Sequence, residues 1–118
     1  MFIDTHCHLT DKYTGGADGV IARAMDAGVN VMICPTADPA DIPGALKIAE
    51  EYSNIFCTIG IHPEYTDANP ADFLTDDVLQ NPRVVGIGEI GLDYHYNADT
   101  RMQQIELFEK QLAIAPIS

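Results

Sequence analysis

The chain has no tryptophan and no apolar run that approaches the roughly 18 to 20 residues of a membrane-spanning helix. Its start, Met1 to Asp4, also lacks the basic stretch and apolar segment of a secretory signal. With 118 residues, of which 47% are hydrophobic and 20% charged, the composition is that of an ordinary globular domain. We therefore expect a cytoplasmic protein that does not associate with membranes.

Basic residues are scarce, since six Lys and Arg stand against 18 Asp and Glu and give a formal net charge of −12. Such a chain cannot bind phosphate groups through a broad basic patch. If the protein acts on nucleic acid or another phosphate ester, a bound divalent metal ion is the expected source of positive charge.

Cysteine is also sparse, and its pattern excludes a disulfide framework. The three residues, Cys7, Cys34 and Cys57, are odd in number and include no C-x-x-C pair. Each lies in an apolar segment that is typical of a buried strand. We interpret them as reduced core residues in a reducing compartment, and we predict that no disulfide forms within a chain.

What the sequence does contain is a repeated unit. Short apolar segments rich in β-branched residues recur with starts 27, 26 and 29 positions apart, and between them the apolar residues follow the period of a helix. The predicted strands are 2–3, 29–34, 55–59 and 84–87, and the predicted helices lie near 17–27, 39–53, 70–80 and 100–115. The last helix carries a predicted amphipathic stripe of Met102, Ile105, Phe108, Leu112 and Ala115.

Strands that alternate with helices predict an α/β fold with a parallel sheet, because parallel neighbours need a crossover connection. The repeat indicates a (β/α) barrel of the TIM type. A full barrel of eight units takes about 250 residues, so this chain holds about four of the eight units. We expect a half-barrel, with residues 1–118 forming a single domain that is truncated after the fourth βα unit.

The strongest chemical signal is Asp4-Thr5-His6-Cys7-His8, directly after the first apolar pair. Side chains at positions i and i+2 of a strand point to the same face, so His6 and His8 are expected to project side by side. Two neutral imidazoles in this arrangement can chelate one divalent cation. Asp4 has the same parity and could orient the two rings.

A second group surrounds Glu89, which follows the fourth predicted strand and is flanked by Gly86, Gly88 and Gly91. Several glycines in a strand suggest close backbone approach or an open site above the carboxylate. An inward carboxylate needs a cation or a partner. Glu89 could therefore ligate one metal ion or bridge two, and the alternative is an ion pair with Arg83 or Arg101.

The third group is Gly60-Ile61-His62-Pro63 at the end of the third predicted strand. In a barrel, functional groups lie on the loops after the carboxyl ends of the strands. His62 is thus a candidate hydrogen-bond donor to an anionic substrate, and a purely structural role in the loop is the alternative.

Together these stretches resemble the TatD family of metal-dependent hydrolases, within the amidohydrolase-like TIM barrels. The matching segments are F-I-D-T-H-C-H-L at the amino end, G-I-H-P after the third strand and V-G-I-G-E-I-G-L-D-Y after the fourth. The resemblance implies a divalent-metal phosphodiesterase, a deoxyribonuclease that acts from a 3′ end by a metal-activated water, with one or two Zn, Mn or Mg ions.

The resemblance also implies roles for individual residues. His6 and His8 would ligate a metal ion, Glu89 would be both a metal ligand and the catalytic residue, and His62 and Asp93 would contact the substrate, which is DNA or another phosphodiester. The family's remaining ligands, two histidines and an aspartate from strands five, six and eight, have no counterpart in this sequence.

Three alternatives follow from that difference. The chain could be a hydrolase whose missing half comes from elsewhere, for example from a second copy, and the open edges of a half-barrel favour pairing with another chain. It could instead be a catalytically incompetent half-barrel that retains metal binding. An amidohydrolase or a PHP-type phosphoesterase, acting on amides or phosphomonoesters, is the third alternative.

Overall fold

The computed structural model describes residues 1–9 and 14–115, and it shows an α/β fold built on a four-stranded sheet. The strands pair in the order β1-β2-β3-β4, and every pair is parallel. The strands are β1 Phe2–Asp4, β2 Val29–Pro35, β3 Ile55–Thr58 and β4 Val84–Gly86. The helices are α1 Gly16–Asp26, α2 Ile42–Glu51, α3 Asp76–Leu79 and α4 Arg101–Ile114, with 3₁₀ turns at Pro39–Asp41, Pro70–Asp72 and Ala98–Thr100. The predicted fold class is confirmed.

The hydrophobic core lies between the sheet and the helices α1 and α2. Strand residues of alternating parity point to the same face, and on β2 and β3 this buried set is Met32, Cys34, Ile55 and Cys57. Ile21 of α1 and Ala45 and Ala49 of α2 pack against them. Small alanines on α2 allow the helix to approach the sheet closely, so the first three units form one continuous core.

Glycine marks the connection from α1 to β2. Gly28 has φ +87°, a left-handed conformation that glycine adopts without steric cost, and its N–H donates to the Met25 carbonyl at 2.9 Å. Its own carbonyl accepts the Phe2 N–H at 2.8 Å. Gly28, which terminates the chain's helical path after α1, therefore also anchors the first strand, which is only three residues long.

The predicted helix over 70–80 is wrong. The segment contains a 3₁₀ turn at Pro70–Asp72 and then a separate single-turn helix, α3. Thr75 interrupts the helical run because its backbone is extended and its hydroxyl accepts the Val78 N–H at 3.5 Å. Thr75 is therefore the N-cap of α3, a position that threonine favours over a helix interior.

The helix at 100–115 is present, but its predicted packing face is wrong. Met102 and Leu112, two members of the predicted stripe, are 72% and 49% exposed. The fully buried positions of α4 are instead Gln104, Leu107 and Gln111. Two polar side chains occupy the packed face of α4 because each forms hydrogen bonds with backbone groups there, as described below.

Both edges of the sheet carry exposed apolar residues. On β1, Phe2 and Ile3 are exposed, and on β4 Val85 is exposed. Edge strands present unpaired backbone groups that can pair with another chain. Among the helices that the structure describes, none is long and apolar enough to cross a membrane.

Candidate functional site

Three side chains meet beyond the carboxyl end of the sheet. Nε2 of His6 lies 2.9 Å from Oε1 of Glu89, and Nε2 of His8 lies 3.4 Å from the same oxygen. The two imidazoles meet edge to face, with ring centroids 5.2 Å apart. Within residues 1–9 and 14–115 this is the one group of three or more His, Cys, Asp and Glu side chains whose ligand atoms converge.

The histidines reach this position by a bend and not by strand parity. β1 ends at Asp4, so His6 and His8 lie in the segment that follows the strand. The Asp4 carboxylate accepts the backbone N–H of His6 at 3.0 Å. Asp4 therefore stabilises the bend through the backbone, and its orientation of the imidazole rings stays a prediction.

Cys7, between the two histidines, points away from them. Its Sγ donates to the Ile33 carbonyl at 3.5 Å, on the neighbouring strand. Burial is the main cause that raises the pKa of the Cys7 thiol to about 12, with smaller contributions from Asp4 and Cys34. The Cys7 thiol is therefore protonated and lies on the far side of the backbone. The two imidazoles are the donors of this segment that could bind a metal ion.

The Glu89 backbone is anchored to β2 through Thr36. The Glu89 N–H donates to the Thr36 carbonyl at 2.7 Å. The predicted alternative, in which Glu89 pairs with an arginine, is wrong: Arg83 donates to the Ser53 carbonyl at 2.8 Å, and Arg101 stacks on the Tyr94 ring at 4.1 Å. The carboxylate is directed instead towards the two histidines.

The donor set fits a divalent cation. Its three ligand atoms lie within 4.8 Å of one another. Donors that share one cation at bond lengths of about 2.0 to 2.2 Å lie about 3 to 4.4 Å apart, so small side-chain rotations suffice. Two imidazole nitrogens and one carboxylate oxygen suit zinc and manganese, and both histidines are exposed to incoming ligands.

His62 lies in the loop that follows β3, four residues after the strand ends. Its backbone N–H donates to the Ala37 carbonyl at 3.0 Å, and its Nδ1 accepts the Glu64 N–H at 3.3 Å. A neutral ring that accepts at Nδ1 carries its proton at Nε2. The side chain is 28% exposed. Next to it, hydrogen bonding to the Glu64 carboxylate, followed by burial and by Asp38, raises the pKa of Tyr65.

Asp93 lies in the loop after β4 and shapes that loop. Its Oδ1 accepts the backbone N–H groups of His95 at 2.9 Å and of Tyr96 at 3.2 Å. This is an Asx turn, in which a side chain replaces a backbone acceptor. One carboxylate oxygen of Asp93 is therefore committed to its own loop.

Several polar residues at the site were not singled out from the sequence. Thr36 is buried and its hydroxyl accepts the Gly60 N–H at 3.1 Å, while Gln104 and Gln111 bond to the loops that hold Asp93 and His62. In sequence these three are ordinary residues of a strand end and a helix. The available signal was the spacing of the two glutamines, seven positions apart and thus on one helix face.

The sequence matches the family model described as TatD related DNase over residues 3–117. This chain belongs to the TatD-related DNase family. The match covers the segment that carries His6 and His8 and those that carry His62 and Glu89, so the resemblance noted in the sequence is confirmed.

Curated members of the TatD-related DNase family are similar to this chain over nearly its whole length. The metal-dependent hydrolase YabD of Bacillus subtilis is 35% identical over 118 residues, which cover 98% of this chain and 46% of YabD. The 3′-5′ ssDNA/RNA exonuclease TatD of Escherichia coli K12 is 34% identical over 117 residues, which cover 95% of this chain and 44% of that enzyme.

The structural comparison agrees. The crystal structure of YjjV, a TatD homologue from Escherichia coli K12, superposes with a TM-score of 0.80 at 30% identity, and the match covers 96% of this chain and 46% of YjjV. The chain therefore spans about half the length of the TatD-family proteins it matches. Its four βα units correspond to part of a barrel.

Proposed function

We propose that this chain carries a divalent-metal site for hydrolysis of phosphodiester bonds in nucleic acid, from the 3′ end of a single strand. The observation that carries the proposal is the convergence of His6 Nε2 and His8 Nε2 on one oxygen of Glu89, at 2.9 and 3.4 Å. The TatD relatives named as 3′-5′ ssDNA/RNA exonucleases support the choice of substrate.

The three converging residues hold the cation in this proposal. His6 and His8 supply neutral nitrogens, and Glu89 supplies a negative oxygen that also offsets the charge of the ion. When bound, one or two divalent ions (Zn, Mn or Mg) supply the positive charge that a phosphate needs and activate a water as nucleophile. The chain's net charge of −12 makes such a source of positive charge necessary.

His62 and Asp93 contact the substrate in this proposal. The Nε2–H of His62 donates a hydrogen bond to a phosphate oxygen, since Nδ1 is occupied by the Glu64 N–H. Asp93 uses its second carboxylate oxygen to accept from a sugar hydroxyl or a base amine, because Oδ1 is taken by its own loop.

Cation binding tests the proposal directly. Mn²⁺ titration by calorimetry, with the spin-resonance signal of free Mn²⁺ as a second readout, gives the affinity and the number of ions. We expect Glu89→Gln to weaken binding by at least about tenfold, since even residues behind the ligands contribute that much in metal sites. The double variant His6→Ala, His8→Ala is expected to abolish binding.

His95→Ala is the matched control, because His95 is an exposed histidine whose ring packs on Tyr96 outside this group. It should bind Mn²⁺ as the unsubstituted chain does. Equal affinity in all of these proteins would contradict the metal site. Cation-dependent turnover of an amide or a phosphomonoester, with none of a single-stranded oligonucleotide, would contradict the proposed substrate.

We also propose that a second copy pairs with the open sheet edges. Exposed Phe2 and Ile3 on β1 and Val85 on β4 place apolar surface on both edge strands. Light scattering should give a molar mass above the 12.9 kDa of one chain, and Val85→Lys should lower it. A monomer at all concentrations, with or without Mn²⁺, would rule this pairing out.

A further inference from the structure

Helix α4 carries two glutamines that are fully buried. Gln104 and Gln111 are each 0% exposed, and Leu107 between them is buried too. Seven residues are about two helical turns, so both amides project from the same face of α4. A buried amide has two N–H donors and an acceptor oxygen that need partners, and helix packing does not require buried amides. Their partners therefore indicate what this face does.

Gln111 pairs with the backbone of Ile61. The Ile61 N–H donates to Oε1 of Gln111 at 2.8 Å, and Nε2 of Gln111 donates to the Ile61 carbonyl at 3.0 Å. Ile61 is itself fully buried and directly precedes His62. The two bonds fix the orientation of the Ile61 backbone as a neighbouring strand would, at a point where β3 has already ended.

Gln104 makes the same pair with Asp93. The Asp93 N–H donates to Oε1 of Gln104 at 2.8 Å, and Nε2 of Gln104 donates to the Asp93 carbonyl at 3.0 Å. Nε2 also contacts the Asn97 carbonyl at 2.6 Å and the Thr100 hydroxyl at 3.1 Å. Gln104 thus closes the loop from Asp93 to Thr100 on itself as well as holding Asp93.

We propose that Gln104 and Gln111 are positioning residues, which set His62 and Asp93 at a fixed separation at the rim of the sheet. One helix holds both loops: Gln111 accepts from and donates to the backbone of Ile61, and Gln104 does the same with Asp93. Apolar packing would hold the loops in place without fixing the direction of their backbone groups. This inference rests on the proposed function, in which His62 and Asp93 contact the substrate.

The test uses four variants of the full chain. Gln111→Leu and Gln104→Leu each remove one amide pair and keep the side-chain size. Gln111→Glu keeps the shape and, when protonated, keeps both an acceptor and a donor. Gln103→Leu is the control, because Gln103 is an exposed glutamine on the same helix.

The first readout is NMR of the backbone amides and the imidazoles. We expect Gln111→Leu to change the signals and the exchange protection of Ile61 and His62 while those of Asp93 stay as they are, and Gln104→Leu to do the reverse. Gln111→Glu should match the unsubstituted chain at low pH and approach Gln111→Leu at high pH, because burial favours the neutral acid. The residue-selective changes, at His62 for one glutamine and at Asp93 for the other, are what a general loss of helix packing would not produce.

The second readout is binding. Mn²⁺ affinity should stay within twofold in all variants, since His6, His8 and Glu89 are held by other elements. Affinity for a single-stranded oligonucleotide with Mn²⁺ should fall about tenfold in Gln111→Leu and in Gln104→Leu, the loss expected for a misplaced hydrogen bond to a charged group, and should stay unchanged in Gln103→Leu.

Two results are decisive in the other direction. Unchanged His62 signals in Gln111→Leu and unchanged Asp93 signals in Gln104→Leu would overturn the positioning role, whatever the chain binds. If the Leu variants do not fold, two measurements still test the positioning role: the pH series of Gln111→Glu and the exchange protection of the Ile61 and Asp93 amides in the unsubstituted chain. Rapid exchange of those two amides would also overturn the positioning role. Failure of the unsubstituted chain to bind the oligonucleotide contradicts the proposed function instead.

Discussion

The backbone of Gly60 packs directly on that of Gly88, so closely that a Cβ at Gly60 would lie 2.6 Å from the Gly88 carbonyl carbon and 2.9 Å from the backbone carbonyl oxygen of Glu89. The loop after β3 and the segment that carries Glu89 therefore touch through main-chain atoms. Only glycine permits this approach. The Thr36 hydroxyl, which accepts the Gly60 N–H at 3.1 Å, connects the same contact to β2.

Gly60→Ala should consequently displace Glu89. We expect the added methyl group to push the Gly88–Glu89 backbone away and to lower the free energy of unfolding by about 1 to 3 kcal/mol, the usual cost of overpacking. Mn²⁺ affinity should fall as well, because the displaced backbone carries the Glu89 carboxylate away from the two imidazoles. Urea unfolding and Mn²⁺ titration measure the two effects.

Gly44→Ala is the control for that substitution. Gly44 lies in α2, and a Cβ there would meet no atom within 4 Å. Alanine at this position should raise the free energy of unfolding by about 0.5 to 1 kcal/mol and leave Mn²⁺ affinity unchanged. A Gly60→Ala protein that binds Mn²⁺ as tightly as Gly44→Ala would show that Glu89 does not depend on the glycine contact.

The sequence predicts the sheet better than the helices. Strands β2, β3 and β4 lie where the apolar segments do, because buried parallel strands are continuous apolar runs. The stripe on α4 misleads because that pattern assumes an apolar packing face. Gln104 and Gln111 are buried through bonds to residues 11 and 50 positions away, and no local pattern contains such partners.

The convergence of His6, His8 and Glu89 could be anticipated because parallel strands bring their carboxyl ends to one rim. The detail could not. The bend after Asp4 depends on a side-chain bond to the backbone, and the place of Glu89 depends on Thr36 and Gly60, in the segments that follow β2 and β3. These are contacts between segments distant in sequence, and the identity of each residue alone does not encode them.

Thr36 offers a second test of that network. Its hydroxyl is buried, lies 3.3 Å from the Thr58 carbonyl and 3.2 Å from the Gly60 carbonyl, and accepts the Gly60 N–H. Thr36→Val keeps the shape but leaves the Gly60 N–H without a partner. We expect a loss of about 1 to 3 kcal/mol in the free energy of unfolding, measured in urea.

Thr36→Ser separates the hydroxyl from the methyl group. It keeps the donor and the acceptor, so its stability should lie closer to that of the unsubstituted chain than that of Thr36→Val does. No loss in Thr36→Val would contradict the role of the hydroxyl bonds, and a larger loss in Thr36→Ser than in Thr36→Val would show that the methyl group matters more than they do.

The buried thiols predict how stability changes at alkaline pH. Burial, followed by Cys34 and Glu50, raises the pKa of Cys57 from 9.0 to about 11. The unfolded chain therefore releases this proton at lower pH than the folded chain does. The contribution of the protonated Cys57 thiol to the free energy of unfolding is fully present below about pH 9 and is lost as the pH rises from about 9 to about 11. The urea midpoint should therefore fall over that range.

Cys57→Ala is the comparison, because it removes this titration although it also creates a small cavity. The midpoint of the variant should start lower and fall less between pH 9 and pH 11. An identical slope in both proteins would contradict the assignment to Cys57. The same samples, denatured without reductant, should give three free thiols for the unsubstituted chain, as the structure has them.

The last prediction concerns turnover. We expect this 118-residue chain alone to hydrolyse single-stranded DNA far more slowly than a full-length TatD relative, or not at all. Residues 1–9 and 14–115 bring three ligand groups together, whereas the family resemblance implies a further carboxylate that positions and deprotonates the attacking water. The exposed histidines also leave the site wet, which weakens electrostatic stabilisation.

Loss of a general base alone lowers a rate by about 10²-fold to 10⁴-fold, so we expect turnover by this chain to be slower than that of a full-length relative by at least that factor. The measurement is nucleotide release from a single-stranded oligonucleotide with Mg²⁺ or Mn²⁺, with the His6→Ala, His8→Ala chain as control. Metal-dependent turnover at the rate of a full-length relative, absent from the control, would contradict the prediction. Because one chain brings only three ligands together in its described residues, such a rate would mean that a second copy completes the site, and the activity should then rise with chain concentration as the molar mass does.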